Sequence, residues 1–283
     1  ANRLVGNPDD AAGLESPYMG PELRFSEDAV VAVCGATQEP RVNGEAREPW
    51  TSLALSAGDV LSFGHITAGA RTYIAVAGGI DVPEAMGSRS TYVLGALGGV
   101  EGRPLEEGDE LAVGSNGVAS SADRTVPEEL RPTFAKELEV RVVMGLYDHL
   151  LTGAGRAKFL KTDWTLTPTA DRVGFRYKGD KLEMLEREQP FGAGSDPSNI
   201  VDAPYPIGSI QVPGGVEPII LHRDAVSGGG YAMVATVISA DWATVSMSAP
   251  GSKTRFVAVE LEDALAARRE RAQRLAKVEE AIT

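Results

Sequence analysis

One cysteine among 283 residues rules out a disulfide within the chain and makes a cytosolic setting the natural expectation. Basic residues are scarce. Lys and Arg number 27 against 40 Asp and Glu, a formal charge of −13. Nucleic-acid binding needs a basic footprint, so that partner class is excluded. No apolar run approaches the ~20 residues that span a bilayer, so no membrane partner is expected. The three histidines, His65, His149 and His222, are too scattered to suggest a metal site, and none is expected. The opening Ala1-Asn-Arg-Leu4 lacks a methionine and a basic-then-apolar leader. It reads as the middle of a domain, with upstream residues missing.

What the chain has in quantity is glycine, 32 residues, concentrated in two stretches. Residues 77–92 carry Asp81 and Arg89 among glycines, and residues 209–231 carry Gln211 and Asp224. Glycine lets a backbone approach a ligand closely, and β-branched runs flank both stretches as a rigid platform. Glycine pairs also simply turn hairpins, and Asp81 and Asp224 suit turn caps. Cys34 lies in Val30-Val-Ala-Val-Cys-Gly35, a buried-strand pattern that suits an inert core thiol.

Short β-branched runs alternate with turn signals along most of the chain. Strands are expected at 29–33, 52–55, 60–63, 72–77 and 110–113, then at 138–143, 173–177, 209–212, 219–222, 233–238 and 255–259. The small, polar, turn-rich piece within 114–137 has linker composition. The expected fold class is therefore mainly β with few helices, in two barrel or sandwich halves at 1–123 and 124–283. Helices are expected at 9–15, at 150–161 and at 260–282. In the last, Leu261, Leu265, Ala272, Leu275, Val278 and Ile282 recur at helical spacing. That stripe suits packing on the body of the protein or docking a partner.

Several motifs fail. Pro250-Gly-Ser-Lys-Thr254 lacks the first glycine and the Gly-Lys pair of a phosphate loop, and a strand follows where a helix must begin. His222-Arg-Asp224 copies a kinase triplet without its companion motifs, and no Gly-x-Ser-x-Gly elbow exists. The residues by themselves contain no complete catalytic apparatus.

Read in order, however, the segments resemble one family. They are Asn2-Arg-Leu-Val-Gly-Asn-Pro-Asp-Asp-Ala-Ala-Gly-Leu-Glu15, Gly20-Pro-Glu-Leu-Arg-Phe25, Val76-Ala-Gly-Gly-Ile-Asp-Val-Pro83, Gly87-Ser-Arg-Ser-Thr91, Asp171-Arg-Val-Gly-Phe-Arg176, Ile210-Gln-Val-Pro213 and Gly229-Gly-Tyr231 with Ala235-Thr-Val-Ile-Ser239. They are similar to the second subunit of the allophanate hydrolase or 5-oxoprolinase family. That family also forms half of the carboxyltransferase domain of urea carboxylase. The first segment corresponds to the family's early helix. Gly194-Ser-Asp-Pro-Ser-Asn-Ile-Val-Asp202 looks more like the urea carboxylase branch. The family's upstream Gln-Asp-x-Gly-Arg stretch is missing, and its common Tyr-Pro is Tyr231-Ala232 here.

The resemblance implies two β-barrel halves related to the cyclophilin-like fold and a first subunit as obligate partner. It implies an enzyme subunit, inactive alone, acting on the C–N bond of a small amide or urea-like substrate. ATP or carboxybiotin is expected to come from a partner. Charge builds on a carbonyl oxygen in both chemistries, which calls for aimed donors and a group to manage a proton. Asp224, Asn199 and Gln211 are the candidate catalytic residues. Arg89, Ser88, Arg172, Gly228, Gly229, Gly230 and Tyr231 are candidates for substrate binding. Arginine holds carboxylates by paired bonds, amides both donate and accept, and glycine N–H groups form anion nests. A different class is a non-catalytic regulatory module that antagonises a kinase inhibitor. It calls for an exposed apolar patch in place of a polar cleft.

Overall fold

A computed structural model describes residues 1–114 and 122–282. Contacts divide the chain into two units, Ala1–Thr133 with Gln273–Thr283, and Phe134–Ala272. Part of the expected linker, residues 115–121, lies outside the described residues.

The first unit contains β1 (Leu14–Pro17), β2 (Leu23–Arg24), β3 (Ala29–Thr37), β4 (Pro40–Val42), β5 (Glu45–Ala46), β6 (Ser52–Leu55), β7 (Val60–Phe63) and β8 (Ala68–Val76). They form two four-stranded sheets, ordered β1-β8-β3-β6 and β2-β7-β4-β5. One core takes Val31, Val33, Leu55, Ile74 and Val76 from the first sheet and Val42 and Leu61 from the second. The continuous apolar run in β3 follows from burial on both faces. Val31 and Val33 enter that core, while Ala32 and Cys34 point into a second one with Leu4, Val5, Ala75 and Val126. Cys34 is buried, and burial pushes its thiol upward in pKa, away from the reactive thiolate.

The second unit contains β9 (Glu137–Met144), β10 (Trp164–Ala170), β11 (Gly174–Lys178), β12 (Asn199–Pro204), β13 (Ser209–Gln211), β14 (Ile219–Leu221), β15 (Gly228–Tyr231), β16 (Met233–Val237) and β17 (Lys253–Ala258). Seven of these close a barrel in the order β10-β11-β14-β13-β16-β9-β17. Strand β17 pairs in parallel with β9, in register from Lys253↔Glu137 to Ala258↔Val142, and antiparallel with β10, which closes the ring. Period-two alternation turns Phe175 and Tyr177 of β11, and Thr254 and Phe256 of β17, inward. Helix α1 (Gly153–Lys161) adds Phe159, whose ring stacks on Phe256 at 4.8 Å. Gly155 is required there because a Cβ would sit 2.2 Å from the Glu183 carbonyl oxygen. Strands β12 and β15 form a separate two-stranded ribbon over Leu150, Tyr205, Ile219, Leu221 and Met233.

Helix α2 (Trp242–Ser246) is short, and α3 (Leu261–Ile282) is the long C-terminal helix. The mainly β class, the barrel and the terminal helix agree with expectation, with the closed ring in the second unit. Three expectations need correction. Residues 9–15 are a turn leading into β1, not a helix. Asp9 is engaged by Arg3 at 2.7 and 2.8 Å, and Leu14 pairs with Ile74. Two turns of helix are too few to compete with such pairing. Residues 110–113 make only an isolated bridge, Val113↔Ile80. The α3 stripe is mostly exposed at Leu261, Leu265, Ala272 and Leu275, and only Val278 and Ile282 reach a core.

Candidate functional site

The sequence candidates of the second unit fall into two bonded groups. The first is built on the Tyr205 hydroxyl. It accepts a hydrogen bond from the Tyr231 amide at 2.8 Å. Its single proton is shared between the carbonyl oxygens of Gly229 at 2.6 Å and Tyr231 at 2.7 Å. Gln211, buried on β13, sits beside this hydroxyl and partly offsets the upward push of burial on its pKa. Burial pushes the phenol's pKa upward, so it stays protonated and able to donate.

Asn199 joins the same group through the ribbon, where it pairs with Tyr231 across the ladder. Its side-chain amide donates to the Ala193 carbonyl at 3.0 Å, and its own carbonyl accepts from Arg187 at 2.6 Å. Behind it, Asp196 accepts from the Ser198 hydroxyl at 2.6 Å and the Ser198 amide at 2.8 Å. These bonds hold the Asp196 carboxyl below the usual carboxylate range. The Ser198 hydroxyl in turn accepts from the Gly214 amide at 2.7 Å. Residues 193–199, the turn after β13 and the ribbon are thus laced together by polar groups.

The three glycines are an extended strand. None has the positive φ that a nest of amides requires, so the expected anion nest is absent at Gly228–Gly230. Packing explains the glycines. A Cβ on Gly229 would meet the Tyr205 ring at 3.1 Å, and one on Gly230 the Ile200 carbonyl oxygen at 3.2 Å.

The second group is Arg172 with Asp224. Arg172 donates from Nε to Oδ2 at 2.8 Å and from Nη2 to Oδ1 at 3.2 Å, and the Asp224 amide donates to the Arg172 carbonyl at 2.8 Å. Asp171 caps the adjoining turn by accepting from the Val173 and Gly174 amides at 2.9 and 3.1 Å.

Ser88 and Arg89 lie in the first unit, on an exposed loop. The Ser88 amide donates to the Ala85 carbonyl at 3.1 Å, and the Ala85 amide donates to the Ser88 carbonyl at 2.8 Å. Arg89 stands 3.9 Å from Glu84. Among the described residues, no three His, Cys, Asp or Glu side chains gather as a metal-ligand set.

Tyr205, Ser198 and Asp196 are site residues that spacing did not single out. Their only sequence signal is the 194–202 segment of the resemblance, which contains Asp196 and Ser198 and ends three residues before Tyr205.

Residues 1–258 match the family model for the carboxyltransferase domain, subdomain A and B. The chain belongs to that family. The carboxyltransferase match is supported by a putative urea carboxylase of Emericella nidulans, 35% identical over 273 residues, which cover 95% of this chain and 22% of that protein. The C subunit of the 5-oxoprolinase of Escherichia coli is 34% identical over 272 residues, covering 95% of this chain and 82% of that one. The crystal structure of the K. lactis urea amidolyase superposes with a TM-score of 0.91 at 32% identity, over 98% of this chain and 17% of that one. The chain thus spans about a fifth of the urea carboxylase and urea amidolyase relatives, and most of the 5-oxoprolinase relative. Among the described residues, no helix is long and apolar enough to cross a membrane.

Proposed function

We propose that this chain is the A and B half of a carboxyltransferase that acts, with a first subunit in the cytoplasm, on a urea-type nitrogen. The observation that carries this reading is the TM-score of 0.91 to the urea amidolyase over 98% of the chain. The Tyr205 group supports it chemically. Asn199 and Gln211 are side-chain amides held on strands beside the Tyr231 backbone, a donor and acceptor set that matches a urea or amide. They orient the substrate nitrogen and carbonyl, with Tyr231 and Gly228–Gly230 as the wall against which it rests. Arg172 is the anion holder of this unit. Asp224 orients Arg172. A carboxylate with both oxygens on one guanidinium positions that group and is badly placed to collect a proton.

Carboxybiotin, delivered by another component, supplies the carboxyl group in this reading. A nucleotide fits less well. Gly228–Gly230 is extended and the 250–254 segment runs into β17, so neither is a glycine loop opening a helix. No ATP step is placed on this chain.

One observation favours a second reading, the C subunit of an ATP-dependent 5-oxoprolinase. The chain covers 82% of that relative's length and 22% of the urea carboxylase's. Assaying the co-purified pair with urea, allophanate and 5-oxoproline, with carboxybiotin or with ATP, separates the two. Carboxybiotin-dependent carboxylation of urea supports the first. ATP-dependent opening of 5-oxoproline, with urea inert, replaces it with the second. A stable pair inactive on all three returns the non-catalytic binding module.

A further inference from the structure

The loop between Ile80 and Gly102 turns large apolar side chains outward. Met86 is 95% exposed, Leu94 69%, Val93 and Leu97 44%, and Tyr92 39%. Scattered exposed apolar residues are ordinary, but five on one loop within twelve positions make a patch.

The loop is a built structure. Ala85 and Ser88 bridge one turn, and Tyr92 and Leu97 another. A Cβ on Gly95 would meet the Tyr92 ring at 2.6 Å and Leu97 at 3.6 Å. One on Gly98 would meet the Ser90 carbonyl oxygen at 2.2 Å, and Ala85 at 3.9 Å. The Gly98 approach sets the end of the second turn beside Ala85, the residue before Met86. The backbone is left-handed at Met86 (φ 53°) and at Ala96 (φ 50°). Such φ values are unfavourable for side-chain-bearing residues and persist where something else compensates. Among the described residues of the first unit, none covers Met86 or Leu94.

Charge around the patch is mostly negative. Between Ile80 and Val113 the chain holds seven acidic residues against two arginines. Arg103 is neutralised by Asp109 at 2.8 Å, which leaves Asp81, Glu84, Glu101, Glu106, Glu107 and Glu110 exposed.

We infer that this loop is the surface on which the first subunit docks, through a face with an apolar centre and a Lys- or Arg-rich rim. This rests on the two-subunit reading above and adds the place and chemistry of contact. Apolar side chains at the centre supply the affinity, and the acidic rim speeds and orients encounter. Ser88 and Arg89 would then lie at the subunit boundary.

The test titrates the intact chain with the purified first subunit. Leu94→Glu and Met86→Glu are compared with Leu265→Glu, an exposed leucine on α3. The two loop variants are expected to weaken binding at least ~30-fold with unchanged melting temperature, and Leu265→Glu to leave it within ~3-fold. Glu84→Lys with Glu101→Lys is expected to slow association and flatten its salt dependence. Hydrogen exchange at 85–97 is expected to slow in the complex. Wild-type affinity in both loop variants, or equal loss in Leu265→Glu, overturns the docking surface and leaves the two-subunit reading standing. No complex with the wild-type chain at micromolar concentration overturns both.

Discussion

Arg172 and Asp224, fifty-two positions apart, meet side on, with two guanidinium nitrogens on two carboxylate oxygens at 2.8 and 3.2 Å. The geometry makes the pair one object. The carboxylate side chain is 11% exposed and the guanidinium 38%, so solvent screens the pair only in part.

Asp224→Asn is expected to cost roughly 1 kcal/mol of stability, because a charge-assisted pair becomes a single neutral acceptor. Turnover of the assembled enzyme is expected to fall about as far as in Arg172→Ala. A double-mutant cycle on both readouts checks this. Additive effects at the two positions would remove the case for pairing, and a rate loss in Asp224→Asn far exceeding that of Arg172→Ala would restore Asp224 as a proton acceptor.

Tyr205→Phe deletes a hydroxyl that serves the Tyr231 amide and two carbonyl oxygens. A loss of about 1–3 kcal/mol is expected, since these partners are left unmet. Amide exchange measured by NMR should speed at Tyr231 more than in the barrel strands. Equal protection in both proteins would show that the ribbon holds itself.

Two glycines of α1 make a paired test. Gly155→Ala puts a methyl 2.2 Å from the Glu183 carbonyl oxygen and is expected to destabilise by about 1–3 kcal/mol. At Gly153 no atom lies within 4 Å of where a Cβ would stand, so Gly153→Ala is expected to stabilise by about 0.4–1 kcal/mol. Thermal melts of both variants decide, and shifts of the same sign would refute the close approach.

Asp109 is held at about 2 by hydrogen bonds from Arg103 and from the Glu106 amide, and Asp196 is held low by Ser198. A carboxyl whose folded pKa lies below its unfolded value contributes stability above the unfolded pKa, about 3.9 for Asp. That contribution fades as pH falls through the folded value. Stability should therefore drop as pH falls below about 4, and Asp109→Asn should make that decline shallower. Chemical denaturation from about pH 7 down to about pH 2 measures it. An unchanged slope in the variant would contradict the assignment.

Strands rich in β-branched and other apolar side chains were legible beforehand. The spans at 52–55 and 60–63 coincide with β6 and β7, and the barrel strands β9, β11, β13, β14, β16 and β17 fall within a residue or two of expectation. The ribbon was not. Strand β15 is three glycines and a tyrosine, with no side-chain pattern for alternation to reveal, and β12 is visible only as a polar segment. Among candidate residues, Asn199, Gln211, Gly229 and Tyr231 do share one group, whereas Ser88 and Arg89 stand in the other unit.

Composition and local period determined the mainly β class, the terminal helix and the buried thiol, because burial on one face or both leaves its mark on neighbouring residues. Motif order determined the family. Tertiary structure alone decided that Tyr205 is the hub of the ribbon, that Asp224 belongs to Arg172, and that most of the α3 stripe stays uncovered. Each of these depends on a partner tens of residues away or on what lies against a face, and periodicity along the chain carries no record of either.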